Sequence, residues 1–93
     1  MPESNRDSEK MDPLASHFPY DHVYDAGPTG CGELLMQLFL KFRTLEPGEV
    51  MKVVSYDPGT WEDIPAWCRM QGHRLLYREH REQLNLFWIE KKR

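Results

Sequence analysis

Between Leu35 and Tyr56 the spacing of the apolar residues changes, and that change restricts the fold more than any other feature of the chain. Leu35, Leu38, Phe39 and Phe42 recur at i, i+3, i+4 and i+7, the stripe of an amphipathic helix expected over about Gly32 to Leu45. Pro47-Gly48 stops it. Val50-Met51-Lys52-Val53-Val54-Ser55-Tyr56 follows, rich in β-branched residues and closed by Asp57-Pro58-Gly59, which is the pattern of a buried strand. Upstream, Tyr20, His22, Val23 and Tyr24 form a short β-leaning run that Asp25-Ala26-Gly27-Pro28-Thr29-Gly30 cannot continue. Strand, helix and strand in that order imply a right-handed crossover between two parallel strands.

Thr60, with Asp63 three residues on, resembles an N-cap box and opens a second helix, expected to reach about Gln71 and to close on a left-handed Gly72. Pro65 belongs in or just after its first turn, where a missing N–H does least harm. Leu75, Leu76 and Tyr77 start a third strand. Leu84, Leu86 and Trp88 alternate with Asn85, Phe87 and Ile89 in a fourth, and the polar stretch Glu79 to Gln83 joins the two as a hairpin. The order β-α-β-α-β-β predicts a two-layer α/β sandwich: a four-stranded mixed sheet with both helices on one face and the other face partly open. The 93 residues allow one such domain, over 19–93, and no second core. Residues 1–18 carry no periodic apolar pattern and are expected to form a flexible tail.

Composition excludes several functions. A hydrophobic fraction of 40% with four Phe, four Tyr and three Trp is not that of a disordered chain. A net charge of −3 argues against a general nucleic-acid coat. No apolar run approaches the roughly 20 residues of a membrane span, and the polar start, Met1 to Lys10, does not read as a secretory signal. Charge is unevenly placed: residues 1–68 hold 5 Lys/Arg against 12 Asp/Glu, residues 69–93 hold 7 against 3. The basic quarter is either a docking face for RNA or an acidic protein, or a set of charged strand edges that resist pairing.

Two cysteines, Cys31 and Cys68, are too few for a disulfide scaffold, and a reducing cytoplasm is the expected compartment. Cys31 lies at the start of the first helix between Gly30 and Gly32. Unpaired N–H groups there favour a thiolate, and two glycines leave the sulfur approachable, whereas Glu33 opposes ionisation. The alternative is a small buried loop residue. Cys68 follows Trp61 by seven and Ile64 by four, which puts all three on the core face; a resolving partner for Cys31 is the alternative role. His73 is either structural, at the start of the third strand, or a proton donor beside the site. Cys31, Cys68 and His73 lack the paired spacing of a zinc site, so no metal is expected. Asp57, Glu62 and Asp63 cluster at the second helix start, where dipole and capping explain them. Trp61, Trp67 and Trp88 are expected in the core.

Taken in order, these pieces resemble the TusA/SirA-like sulfurtransferase family over about Val23 to Lys92. The residues that carry the likeness are Asp25-Ala26-Gly27, then Cys31-Gly32-Glu33-Leu34, Leu45-Glu46-Pro47-Gly48-Glu49, Asp57-Pro58-Gly59, Glu62-Asp63-Ile64-Pro65, Gly72-His73 and Ile89-Glu90-Lys91. The family opens its first helix with Cys-Pro-x-Pro; here Gly32 and Leu34 replace both prolines, the mark of a divergent subgroup. The resemblance implies that Cys31 accepts a sulfur as a persulfide from a donor protein of the cysteine desulfurase or rhodanese type and passes it to an acceptor protein, without a cofactor. Gly30, Gly32, Glu33, Asp25 and His73 would support it. A binding or regulatory module that kept the fold, and an RNA-binding domain using the basic C-terminal part, are the other two expectations.

Overall fold

The computed structural model describes residues 19–93. The tail expected over 1–18 lies outside the described residues. The elements are β1 (His22–Gly27), α1 (Cys31–Phe42), β2 (Val50–Ser55), α2 (Thr60–Gln71), β3 (Arg74–Arg81) and β4 (Leu84–Glu90). The sheet order is β1-β2-β4-β3, with β1 parallel to β2 and both other pairings antiparallel. This is the mixed α/β sandwich expected from the order of the elements. The main core is built from Leu34, Leu38 and Phe42 of α1, Ile64, Trp67 and Cys68 of α2, and Ala26, Met51, Val53, Phe87 and Ile89 of the sheet. The opposite face of the sheet has its own cluster, where Leu86 and Trp88 pack with Val50, Val54, Leu76, Tyr77 and Leu84. Both registers of β4 are therefore apolar, which is why its sequence shows no polar alternation.

Several boundaries and faces differ from expectation. The buried row of α1 is Leu34, Leu38 and Phe42, while Leu35 is half-buried and Phe39 exposed. The helix rests on the sheet along an i, i+4, i+8 line, and Leu35 turns toward α2. It ends at Phe42 rather than Leu45, because Thr44 and Leu45 bond back to Lys41 and Phe42 in tighter i→i+3 turns. Leu45 still reaches the core from that turn. The loop expected over Glu79 to Gln83 shrinks to Glu82-Gln83, since Glu79, His80 and Arg81 pair with Leu86, Asn85 and Leu84. An edge strand tolerates such polar residues, which mask its open side. Glu82 takes the left-handed φ of 57° that this short turn requires.

The second helix starts differently from the expected box. Thr60 is fully buried and its hydroxyl donates to the Asp57 carbonyl at 2.7 Å. Gly59 is the N-cap, and Asp57 holds the turn that leads into it: its Oδ1 accepts the Gly59 N–H at 2.9 Å, with Pro58 between them. Gly72 closes the helix at φ 83°, as expected. Pro65 falls in the second turn and leaves the Trp61 carbonyl without its usual donor, and the Arg78 guanidinium of β3 donates to that carbonyl instead. The same guanidinium stacks on the Trp61 ring, 3.9 Å from its centroid.

Candidate functional site

Parallel strands end on the same side of a sheet, so the loops that follow β1 and β2 lie side by side. Gly27 pairs with Ser55, and beyond that pair the chain enters Pro28–Gly30 on one side and Tyr56–Gly59 on the other. Cys31 is the first residue of α1 and is half-buried. Its backbone N–H donates to Asp57 Oδ2 at 2.7 Å. One carboxylate thus ties two helix starts together: Oδ1 serves the turn into α2 and Oδ2 the first N–H of α1. A buried polar network steadies it. Ser55 Oγ accepts the Asp57 N–H at 3.0 Å and lies 3.2 Å from Thr60 Oγ1, and the Asn85 amide donates to Thr60 Oγ1 at 3.1 Å.

The thiol of Cys31 donates to Asp63 Oδ2 at 2.8 Å. Burial, that hydrogen bond and the negative charges of Asp63 and Asp57 push the thiol up to about 12. This corrects the expectation of a lowered thiol pKa at a helix N-terminus: burial and the two carboxylates outweigh the favourable helix dipole. Asp63 and Asp57 are the residues that sequence reasoning missed as neighbours of the cysteine. Their position, Asp57 in the loop before α2 and Asp63 in its first turn, is explained by the helix start alone, and only the parallel pairing of β1 and β2 brings that start against Cys31.

The other residues singled out divide clearly. Gly30 and Gly32 are exposed, and a Cβ at either would meet nothing within 4 Å, so the sulfur is flanked by open space. Glu33 is exposed and acts on Tyr24 of β1, whose hydroxyl it helps to push up after burial. Asp25 turns onto its own loop, accepting the Gly27 N–H at 2.9 Å. His73 belongs to the other end of the molecule. Its ring lies 4.7 Å from Phe42 and 5.3 Å from Trp67, and its Nδ1 accepts the Lys92 N–H at 3.1 Å. Phe42 closes the helix that Cys31 opens, and 12 residues of α-helix span about 18 Å. His73 is therefore structural and does not supply a proton at Cys31. Burial and the charges of Lys91 and Lys92 lower it to about 4, so it is neutral near pH 7. Cys68 is 2% exposed, and burial pushes its thiol up to about 12. Both cysteines are free thiols.

The basic C-terminal quarter does not form one open face. Arg78 is turned onto the Trp61 carbonyl, and Lys91 donates to the Phe42 carbonyl at the end of α1. Arg74 and Arg93 lie 3.7 and 3.1 Å from the Glu90 carboxylate. Among the described residues, no helix is long and apolar enough to cross a membrane.

Comparison with known proteins agrees with this architecture. The family profile described as sulfurtransferase TusA matches residues 22–91. The sulfur carrier protein TusA of Pseudomonas paraeruginosa is 40% identical over 74 residues, covering 80% of this chain and 94% of that protein. Its namesake in Pseudomonas syringae pv. tomato is 42% identical over 72 residues, covering 77% and 86%, and that of Pseudomonas putida strain W619 is 39% identical over 75 residues, covering 81% and 94%. With the matched region running from the first residue of β1 to just past the end of β4, the chain belongs to the TusA family.

Proposed function

We propose that this protein is a sulfur carrier that holds a persulfide on Cys31. The observation that carries the reading is a half-buried cysteine on the first residue of α1, between two glycines whose surroundings are open. The glycines set no side chain of their own beside the sulfur, which eases the approach of a donor protein. The names of the relatives support the same role. In the forward step the Cys31 thiolate attacks the terminal sulfur of the donor's persulfide. The donor's S–S bond breaks as the new one forms, and the donor leaves as a thiolate. The Cys31 proton goes to solvent or to that thiolate, and no net oxidation occurs. Attack by an acceptor cysteine on the terminal sulfur reverses the pattern and returns Cys31. The chain's own residues supply everything needed to hold the sulfur, and the partners are a donor of the cysteine desulfurase or rhodanese type and an acceptor protein. A reducing cytoplasm is the compartment that suits an open thiol of this kind.

The test is mass spectrometry after incubation with a cysteine desulfurase and cysteine. One added sulfur on the parent, absent from Cys31→Ser and retained in Cys68→Ser, is expected. A chain that gains no sulfur would instead be a binding module on the same fold.

A further inference from the structure

Free thiols at helix N-termini are usually poised for ionisation, but the start of α1 is arranged the other way. The Cys31 N–H is held by Asp57 Oδ2 at 2.7 Å, and the Cys31 Sγ donates to Asp63 Oδ2 at 2.8 Å. We propose that Asp63 is a proton lock on Cys31: by accepting the S–H bond with a charged oxygen, it keeps the sulfur of the free protein a thiol until that carboxylate is neutralised or turned away. The inference rests on the carrier reading of Cys31 and adds its control.

The surroundings support it from each element packed there. On α2 the facing group is Asp63, and in the loop before α2 it is Asp57. On α1 itself, Glu33 acts on Tyr24 of β1, and Lys41, far along the helix, lies over that same Tyr24 ring. Asp25 of β1 is turned onto Gly27. Burial raises the sulfur's affinity for the proton most, and the Asp63 hydrogen bond and the charges of Asp63 and Asp57 add to it. Loss of the proton would set a third negative charge beside these two. The thiolate is the nucleophile and the form most open to oxidation, so a carrier locked as a thiol is inert between partners. Asp63 acts through the sulfur's protonation and is not the base that receives its proton.

The experiment is a pH profile of iodoacetamide alkylation on the full chain, from about pH 6.5 to about pH 10, read on the Cys31 and Cys68 peptides. For the parent, the Cys31 rate should climb about tenfold per pH unit across the range without a plateau. Asp63→Asn keeps an oxygen that can accept the S–H but removes the charge; its profile should move down by at least about one unit, giving about tenfold faster alkylation near pH 8. Asp63→Glu should keep the parent profile. Cys68, raised by burial without a carboxylate, should react at an unchanged slow rate in all three proteins. An Asp63→Asn profile that matches the parent, or a slower rate, overturns the proposal. So does a rise at both cysteines, which would mean a loosened fold. Desulfurase loading of the same proteins separates the two readings: a shifted profile without loading fails the carrier alone, and loading with an unshifted profile fails the lock alone.

Discussion

At the scale of single residues, environment overrides residue type. Cys31 and Cys68 are both raised to about 12, so exposure decides which reacts. A short iodoacetamide pulse on the native chain should modify Cys31 before Cys68, which is 2% exposed; prior labelling of Cys68 would refute the assignment of the open site. Gly32 illustrates the reverse case, a glycine that its surroundings do not demand. Its Cβ position is empty, and α1 already covers it with an ordinary helical backbone. Gly32→Ala should stabilise the protein by about 0.5 kcal/mol, since the glycine's extra unfolded-state freedom is removed without a clash. A thermal melt should show a rise of about 2–4 °C. The cysteine and its two glycines were legible from the sequence because a helix start between glycines is a local pattern. Asp63 was not, since its tie to Cys31 spans 32 residues of chain.

Elements are joined here by groups that complete one another's backbone. Asp57 accepts a backbone N–H at the start of each helix, so Asp57→Ala should cost about 1–3 kcal/mol, the sum expected of two lost hydrogen bonds, measured by urea unfolding. Asp57→Asn keeps one acceptor oxygen and should cost less. Pro65 and Arg78 form a second such pair, since the proline orphans the Trp61 carbonyl and the arginine answers it. Arg78→Met should destabilise by about 1–2 kcal/mol, as the carbonyl loses a charged donor and the Trp61 ring its cation. In a Pro65→Ala background, the new backbone N–H can donate to the Trp61 carbonyl itself, and the cost of Arg78→Met should fall by at least about 0.5 kcal/mol. Purely additive effects in that double-mutant cycle would disprove the substitution of one donor for the other. Helix existence, the position of Gly72 and the β-α-β-α-β-β order were readable from period and punctuation. The end of α1 and the length of β3 were not, because hydrogen bonds in the turns and ladder pairing set them.

Over the whole molecule the two ends of α1 have different duties. One end presents Cys31 beside two carboxylates; the other is closed by His73, held between Phe42 and Trp67 and tied to Lys92. His73 binds its proton less readily folded, near about 4, than unfolded, where about 6.5 is ordinary. The unfolded chain therefore takes up more protons between these values, and stability falls as pH drops through that window. Thermal melts should show a decline from about pH 6.5 to about pH 4, shallower in His73→Phe, and NMR should find the His73 ring neutral at about pH 5.5. A His73 ring that titrates near 6.5 would contradict the packing. From the sequence alone came the layers, the parallel start of the sheet, the core face of α2 and the cysteine at the head of α1, because each rests on periodicity or on residues adjacent in the chain. Only the tertiary structure set what surrounds that cysteine. The β1-β2 pairing lays two distant loops together, and the carboxylates beside the thiol arrive from the second loop, Asp57, and from the helix that follows it, Asp63. Coulomb and hydrogen-bond energies depend on distance in space, and the spacing of residues along a chain does not record it.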